Sequence, residues 1–151
     1  MTKSKRFEPI QQIAANSAVD LSRAMGEAGR RVAELEKQFE QLKTYRDDYT
    51  KSSAAGRATM DVVRLQNYRS FLDRLGEAMR QHTGKLEVAR AEYDKRRLQW
   101  SQKRIEAESL GRVIDRFRKE ERQVVEQREQ REGDDAAMRI SLTAQGDTEL
   151  R

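Results

Sequence analysis

The sequence predicts an all-α protein: two long, unequal helices folded back on each other as an antiparallel coiled-coil hairpin. Three observations predict it. Apolar residues recur at alternating spacings of three and four through two long segments. A short run of small and polar residues separates those segments. The composition, 38% charged and 36% hydrophobic with one Pro and 6% aromatics over 151 residues, suits helices that share a thin apolar seam. So small an apolar share cannot offset the chain entropy of a thick globular core, and the periodicity is too regular for a disordered chain. Abundant Ala, Glu, Lys, Leu and Arg with a heptad rhythm describes a coiled-coil rod.

Helix one is predicted over about 9–50, with Pro9 as its first helical residue, where a missing N–H does no harm. Its heptad frame runs Leu21, Met25, Ala28, Val32, Leu35, Phe39 and Leu42, all apolar. Strict four-and-three spacing marks a coiled-coil seam rather than the broader face of a globular helix. The stretch Thr50-Lys51-Ser52-Ser53-Ala54-Ala55-Gly56 then supplies small, polar and breaker residues, which places the turn at about 51–58.

Helix two is predicted over about 59–132. Its frame is Leu65, Tyr68, Leu72, Leu75, Met79, His82, Leu86, Ala89, Tyr93, Arg96, Trp100, Lys103, Ala107, Leu110, Ile114, Phe117, Glu121, Val124 and Arg128. The register never skips, so the segment reads as one uninterrupted helix. Gly133 is the expected stop, with a mobile tail from Asp134 and the single coiled-coil rod extending no further than about Met138. Five glycines, Gly26, Gly29, Gly76, Gly84 and Gly111, fall inside the predicted helices, each at a cost of about 1 kcal/mol relative to Ala.

Helix one then has roughly 42 residues and helix two roughly 74, or about 63 and 110 Å at the usual rise per residue. Folding back from Gly56, helix one is expected to bring Ile10 and Ile13 near Trp100. Beyond that point helix two overhangs, and Leu110, Ile114, Phe117 and Val124 keep the frame with nothing to cover them. A lone helix with an apolar stripe is marginal in water. Either two overhangs pair with each other, or the stripe waits for a partner.

Few residues carry chemistry. The chain has no Cys, hence no disulfide framework and no thiol nucleophile. His82 is the sole histidine, which excludes multi-histidine metal sites, and its place on the seam suits a packing role. There is no GxSxG, HExxH or Gly-rich phosphate loop, and Asp47-Asp48 and Asp134-Asp135 lack convergent partners. The expectation is no enzyme, no catalytic residue, no metal and no cofactor. A net charge of +5 permits weak attraction to acidic partners. The basic run Lys95-Arg96-Arg97, Lys103-Arg104, Arg112, Arg116 and Arg118-Lys119 is interleaved with Glu106, Glu108, Asp115, Glu120 and Glu121. A nucleic-acid-reading helix would lack that acidic counterweight, so a solvated charged face is the better reading. No apolar run spans a bilayer and no signal-peptide core follows the basic start. A soluble, cytoplasmic protein without membrane insertion is expected.

Aromatic residues flank the predicted turn: Tyr45 and Tyr49 before it, Tyr68 and Phe71 after it. Tyr45 and Phe71 lie off the seam frames, and exposed rings grouped at one end of a rod suit a protein-binding anchor. At these residues the sequence resembles a known family. Leu42-x2-Tyr45-x3-Tyr49, followed by Asn67-Tyr68-x2-Phe71-x3-Leu75-x2-Ala78-x2-Gln81-His82, is similar to the FliJ family of the flagellar type III export apparatus. Trp100-x2-Lys103 and Asp135-Ala136 echo it, and the resemblance covers about Phe7 to Met138.

The resemblance implies a coiled coil similar to the stalk subunit of rotary ATPases, inserted in the hexameric export ATPase. It also implies contact with the cytoplasmic domain of the export gate membrane protein, escort of substrate chaperones, and peripheral association with the apparatus at the inner membrane. The family's gate contact maps onto Gln38, Leu42, Tyr45, Tyr49, Phe71, Leu75, Ala78 and His82. Tyr45, Phe71 and Ala78, off the seam, are the best interface candidates; Leu42, Leu75 and His82 are also seam positions. ATPase contact belongs at the far end, where the overhanging Leu110, Ile114, Phe117 and Val124 are the candidates. A stalk protein of a virulence injectisome, or a purely structural homodimeric coiled coil, would share the architecture.

Overall fold

Two helices hold nearly every residue that the computed structural model describes, namely 1–54, 56, 59 and 61–149. α1 spans Lys3–Ala54 and α2 spans Val62–Glu149. No strand occurs among the described residues. The two helices pack against each other as the all-α hairpin that the heptad frames predict.

Both helices are longer than expected, and all four boundaries are corrected. α1 begins at Lys3, six residues before Pro9, which lies inside the helix. Proline removes the hydrogen bond to the carbonyl four residues earlier and crowds it, so an isolated helix would start at or after this point. Tertiary contacts hold the preceding turn in place, as described below. At its other end α1 continues through Thr50–Ala54. The Thr50 hydroxyl donates back to the Arg46 carbonyl at 2.8 Å, which lets a residue with turn preference remain helical. Of the predicted turn, positions 55, 57 and 58 lie outside the described residues. Gly56 N–H donates to the Ser53 carbonyl at 3.1 Å, and Thr59 N–H donates to the Gly56 carbonyl at 3.1 Å.

α2 starts where a side chain caps it. Asp61 Oδ1 accepts the Arg64 backbone N–H at 2.7 Å, the geometry of an N-cap residue satisfying the third helical amide. At the far end α2 passes through Gly133 to Glu149 instead of stopping. A helix-ending glycine adopts a left-handed conformation, and no described glycine has positive φ. Gly133 therefore serves as an ordinary helical residue. Beyond it, the Thr143 and Thr148 hydroxyls donate to the Arg139 and Ala144 carbonyls, each four residues back.

The packing divides the chain into two units: Ser17–Lys103, and Met1–Asn16 with Arg104–Arg151. In the first, α1 contributes Ala18, Leu21, Met25, Ala28, Val32, Leu35, Phe39 and Leu42, every one buried or half-buried. α2 answers with Leu65, Tyr68, Leu72, Leu75, Met79, His82, Leu86, Ala89, Tyr93, Arg96, Trp100 and Lys103, also none exposed. Leu35, Leu86 and Ala89 form its tightest cluster, with Val32 against them. In the second unit, Ser4, Phe7, Gln11 and Ala14 of α1 are shielded, as are Ala107, Leu110, Ile114, Phe117 and Glu121 of α2.

That second seam overturns the expected overhang. Phe7 lies against Phe117, ring centroids 5.4 Å apart, and Ile114 is buried with 4% exposure. Ile10 and Ile13, expected near Trp100, are exposed, and Ala14 is buried. The reason is register. α1 begins earlier than Pro9, and α2 opens at Val62 rather than near residue 59, so helix one faces a later part of helix two. Cover ends after Glu121: residues 122–149 are all exposed.

Candidate protein-binding surfaces

The first candidate surface belongs to the Ser17–Lys103 unit. Near the end of α1, Tyr45 and Tyr49 are four residues apart and so share a helix face; Tyr68 and Phe71 are placed likewise at the start of α2. Their rings meet. Tyr49 lies 4.5 Å from Phe71 and 5.4 Å from Tyr68, centroid to centroid, and Tyr45 stands edge-on to Phe71 at 6.0 Å. Tyr68 is buried and Tyr49 and Phe71 are half-buried, while Tyr45 is 55% exposed. Tyr49 and Phe71 thus brace the solvent-facing Tyr45, and Tyr49 in turn stacks on Tyr68. Aromatic pairs add about 0.5–1.5 kcal/mol beyond the area they bury, so the exposed ring is held in place before any partner arrives.

The other positions of the expected gate patch differ in exposure. Ala78 is exposed and Gln38 half-buried, with Gln38 Nε2 reaching Glu34 Oε1 at 3.5 Å on the same helix. Leu42 is half-buried on the seam and Leu75 is buried. His82 Nε2 contacts the Leu35 carbonyl at 2.7 Å, and its ring stacks on Phe39 at 6.2 Å. A carbonyl only accepts, so Nε2 carries the proton in this contact. It ties His82 to the α1 backbone at the best-buried seam residue. Tyr45 and Ala78 therefore present surface, Phe71 braces it, and Leu75 and His82 hold the helix pair together beneath.

The second candidate surface belongs to the other unit, and its main feature escapes a forward reading of the heptads. Ser4 is 4% exposed. Its backbone N–H donates to Glu121 Oε1 at 3.0 Å and its hydroxyl to Glu121 Oε2 at 2.7 Å. A glutamate on a seam is costly unless its oxygens find donors; here both do. These bonds hold the Glu121 carboxyl below the usual glutamate range. Next to them Glu8 pairs with Arg118 at 2.8 Å, which raises the Arg118 guanidinium further, and Lys3 Nζ sits 5.6 Å from the centre of the Phe117 ring. Stepping the α1 frame backward from Leu21 reaches Ala18, Ala14, Gln11, Phe7 and Ser4, so the signal exists in the sequence. Pro9 conceals it.

Of the four ATPase candidates, Ile114 is buried, and Leu110 and Phe117 are half-buried within the chain. Val124 alone is open, at 62% exposure, with Val125 beside it at 53%. A groove lined by Thr2, Lys3, Phe117, Glu120, Glu121, Val124 and Val125 marks where α1 begins and α2 continues without it. No described helix is long and apolar enough to cross a membrane, and no group of three His, Asp or Glu among the described residues is placed to hold a metal ion.

A family model described as flagellar FliJ protein matches residues 3–146. No curated protein and no solved structure is significantly similar to the chain.

Proposed function

The chain belongs to the flagellar FliJ protein family and is a component of the flagellar export apparatus, and from that footing we propose that it works without catalysis, by binding other proteins of the apparatus. The partners are the export ATPase hexamer, in which it acts as a central stalk, the cytoplasmic domain of the export gate, and the substrate chaperones. No cofactor takes part. The observation that carries the reading is the braced ring cluster at Tyr45, of which Tyr45, Tyr49 and Phe71 are positions that the family resemblance assigns to gate contact.

Tyr45 and Ala78 touch the gate in this reading, with Gln38, Leu42, Tyr49 and Phe71 around and beneath them. Leu75 and His82 contribute by keeping the helices in register. For the ATPase ring, Val124 is the direct contact and Leu110, Ile114 and Phe117 shape the surface behind it. A well-packed aromatic anchor carries about 2 kcal/mol or more of binding, roughly thirtyfold in affinity. Tyr45→Ala is therefore expected to weaken binding to the gate's cytoplasmic domain about thirtyfold, with helix content by circular dichroism unchanged. Unaltered affinity, or a parallel loss of helicity, would defeat this assignment.

A further inference from the structure

We propose that residues 3–8 are a detachable strap, hinged at Pro9, that closes over Phe117 and Glu121. At Pro9 the helical ladder of α1 loses one rung, because Pro9 offers the Lys5 carbonyl no N–H and crowds it, so the strap joins the rest of α1 through a weakened turn. What holds it lies across the seam. Ser4 gives both of its donors to Glu121, the Phe7 ring rests on Phe117, and Glu8 pairs with Arg118. Besides the helical ladder of α1 itself, the other bonds of this stretch are local. Thr2 Oγ1 accepts the Lys5 N–H at 3.4 Å, and Arg6 N–H donates to the Thr2 carbonyl at 3.3 Å. These travel with the strap and do not anchor it.

The seam contacts sit within four residues of one another on α1, so they act together. Losing Ser4–Glu121 loosens the whole segment together, and the weakened rung at Pro9 is where it bends away. Phe117 already lines the groove with Val124 and Val125, and opening uncovers the part of its ring that Phe7 shields. A short apolar foothold thereby becomes a longer strip. The reading above supplies its occupant, the ATPase ring, and the inference rests on that reading for the occupant alone. The strap itself is a property of the free chain.

The chain has no cysteine, so one introduced thiol reports a single site. Ser4→Cys places it where solvent reaches only if the strap opens, and the backbone N–H of residue 4 still donates to Glu121 Oε1 to hold the strap closed. In the free full-length protein, this thiol is expected to react with a maleimide far faster than global unfolding allows. Pro9→Ala in the same background restores the missing hydrogen bond and relieves the clash. It is expected to slow labelling about a hundredfold, the proline penalty converted to a rate. Glu121→Ala, which removes the acceptor, is expected to speed it. Equal labelling rates with and without the Pro9→Ala substitution, or a thiol that reacts only as fast as the whole chain unfolds, would overturn the strap. Neither outcome depends on whether the ATPase binds.

Discussion

Single side chains decide several features of this protein, and Glu121 shows how. Its carboxylate replaces water with the Ser4 backbone N–H and hydroxyl, and these bonds favour the charged form. The folded value therefore lies below the unfolded one. The contribution to stability is complete above the ordinary glutamate range and is lost as pH falls through the lowered folded value. Glu8, Asp115 and Arg118 surround the contact, and Arg118 acts in the same direction. The Ser4 amide proton shift is expected to titrate below the ordinary glutamate range, and Glu121→Gln to abolish that titration. A midpoint at or above the ordinary range would show that the bond does not form in solution. The glycines make a second residue-scale test. A Cβ at Gly84 meets nothing within 4 Å, whereas one at Gly29 would lie 3.3 Å from the Tyr93 ring. Gly84→Ala therefore collects the full helix-propensity gain of about 1 kcal/mol, or about 2–4 °C in Tm. Gly29→Ala is expected to raise Tm less, because Tyr93 has to move. Equal gains would remove close packing as the reason for Gly29.

At the scale of the elements, legibility follows the strength of the local signal. The two frames from Leu21 to Leu42 and from Leu65 to Glu121 are readable because every third or fourth residue repeats the same demand to be shielded, and burial follows them position by position. Boundaries are not readable, because each depends on a partner that local propensity does not see. Pro9 reads as a start, yet Phe7 and Ser4 find Phe117 and Glu121 and hold six residues of helix in front of it. Gly133 reads as a stop, yet no described residue adopts the left-handed conformation that would end the ladder. Thr50 to Ala54 read as a turn, but the capping residue that opens α2 is Asp61. The ring cluster at Tyr45 is legible from spacing. The braced geometry is not, since it depends on which rings meet across the two helices. Asp61→Ala leaves the Arg64 amide without its acceptor and is expected to cost about 1 kcal/mol. Hydrogen exchange of the amides at 62–65 should accelerate while those near Leu86 hold. Unchanged exchange at both places would mean that water caps the helix as well as Asp61 does.

For the molecule as a whole, register decides which surface is free. Placing Ile10 and Ile13 beside Trp100 leaves Leu110, Ile114 and Phe117 uncovered, and so makes them a ready-made docking stripe. In fact the chain's own N-terminal turns shield them, and what remains open is Val124 with Val125. α2 nevertheless continues to Glu149 with residues 122–149 all exposed. A helix without a packed face opens at little cost, and a protease needs several residues of opened chain to cut. Trypsin is therefore expected to cleave first after Arg122, Arg128, Arg131 and Arg139, and to pause at a fragment ending near Arg122. Mass spectrometry of a brief digest reads this directly; early cuts after Arg90 or Arg96 would contradict it. In the cell the same property makes the last turns of α2 a natural point of entry for degradation of free chain. A partner that grips them would then lengthen the protein's lifetime as well as use its surface, so the pool of unassembled subunits would be the one cleared first.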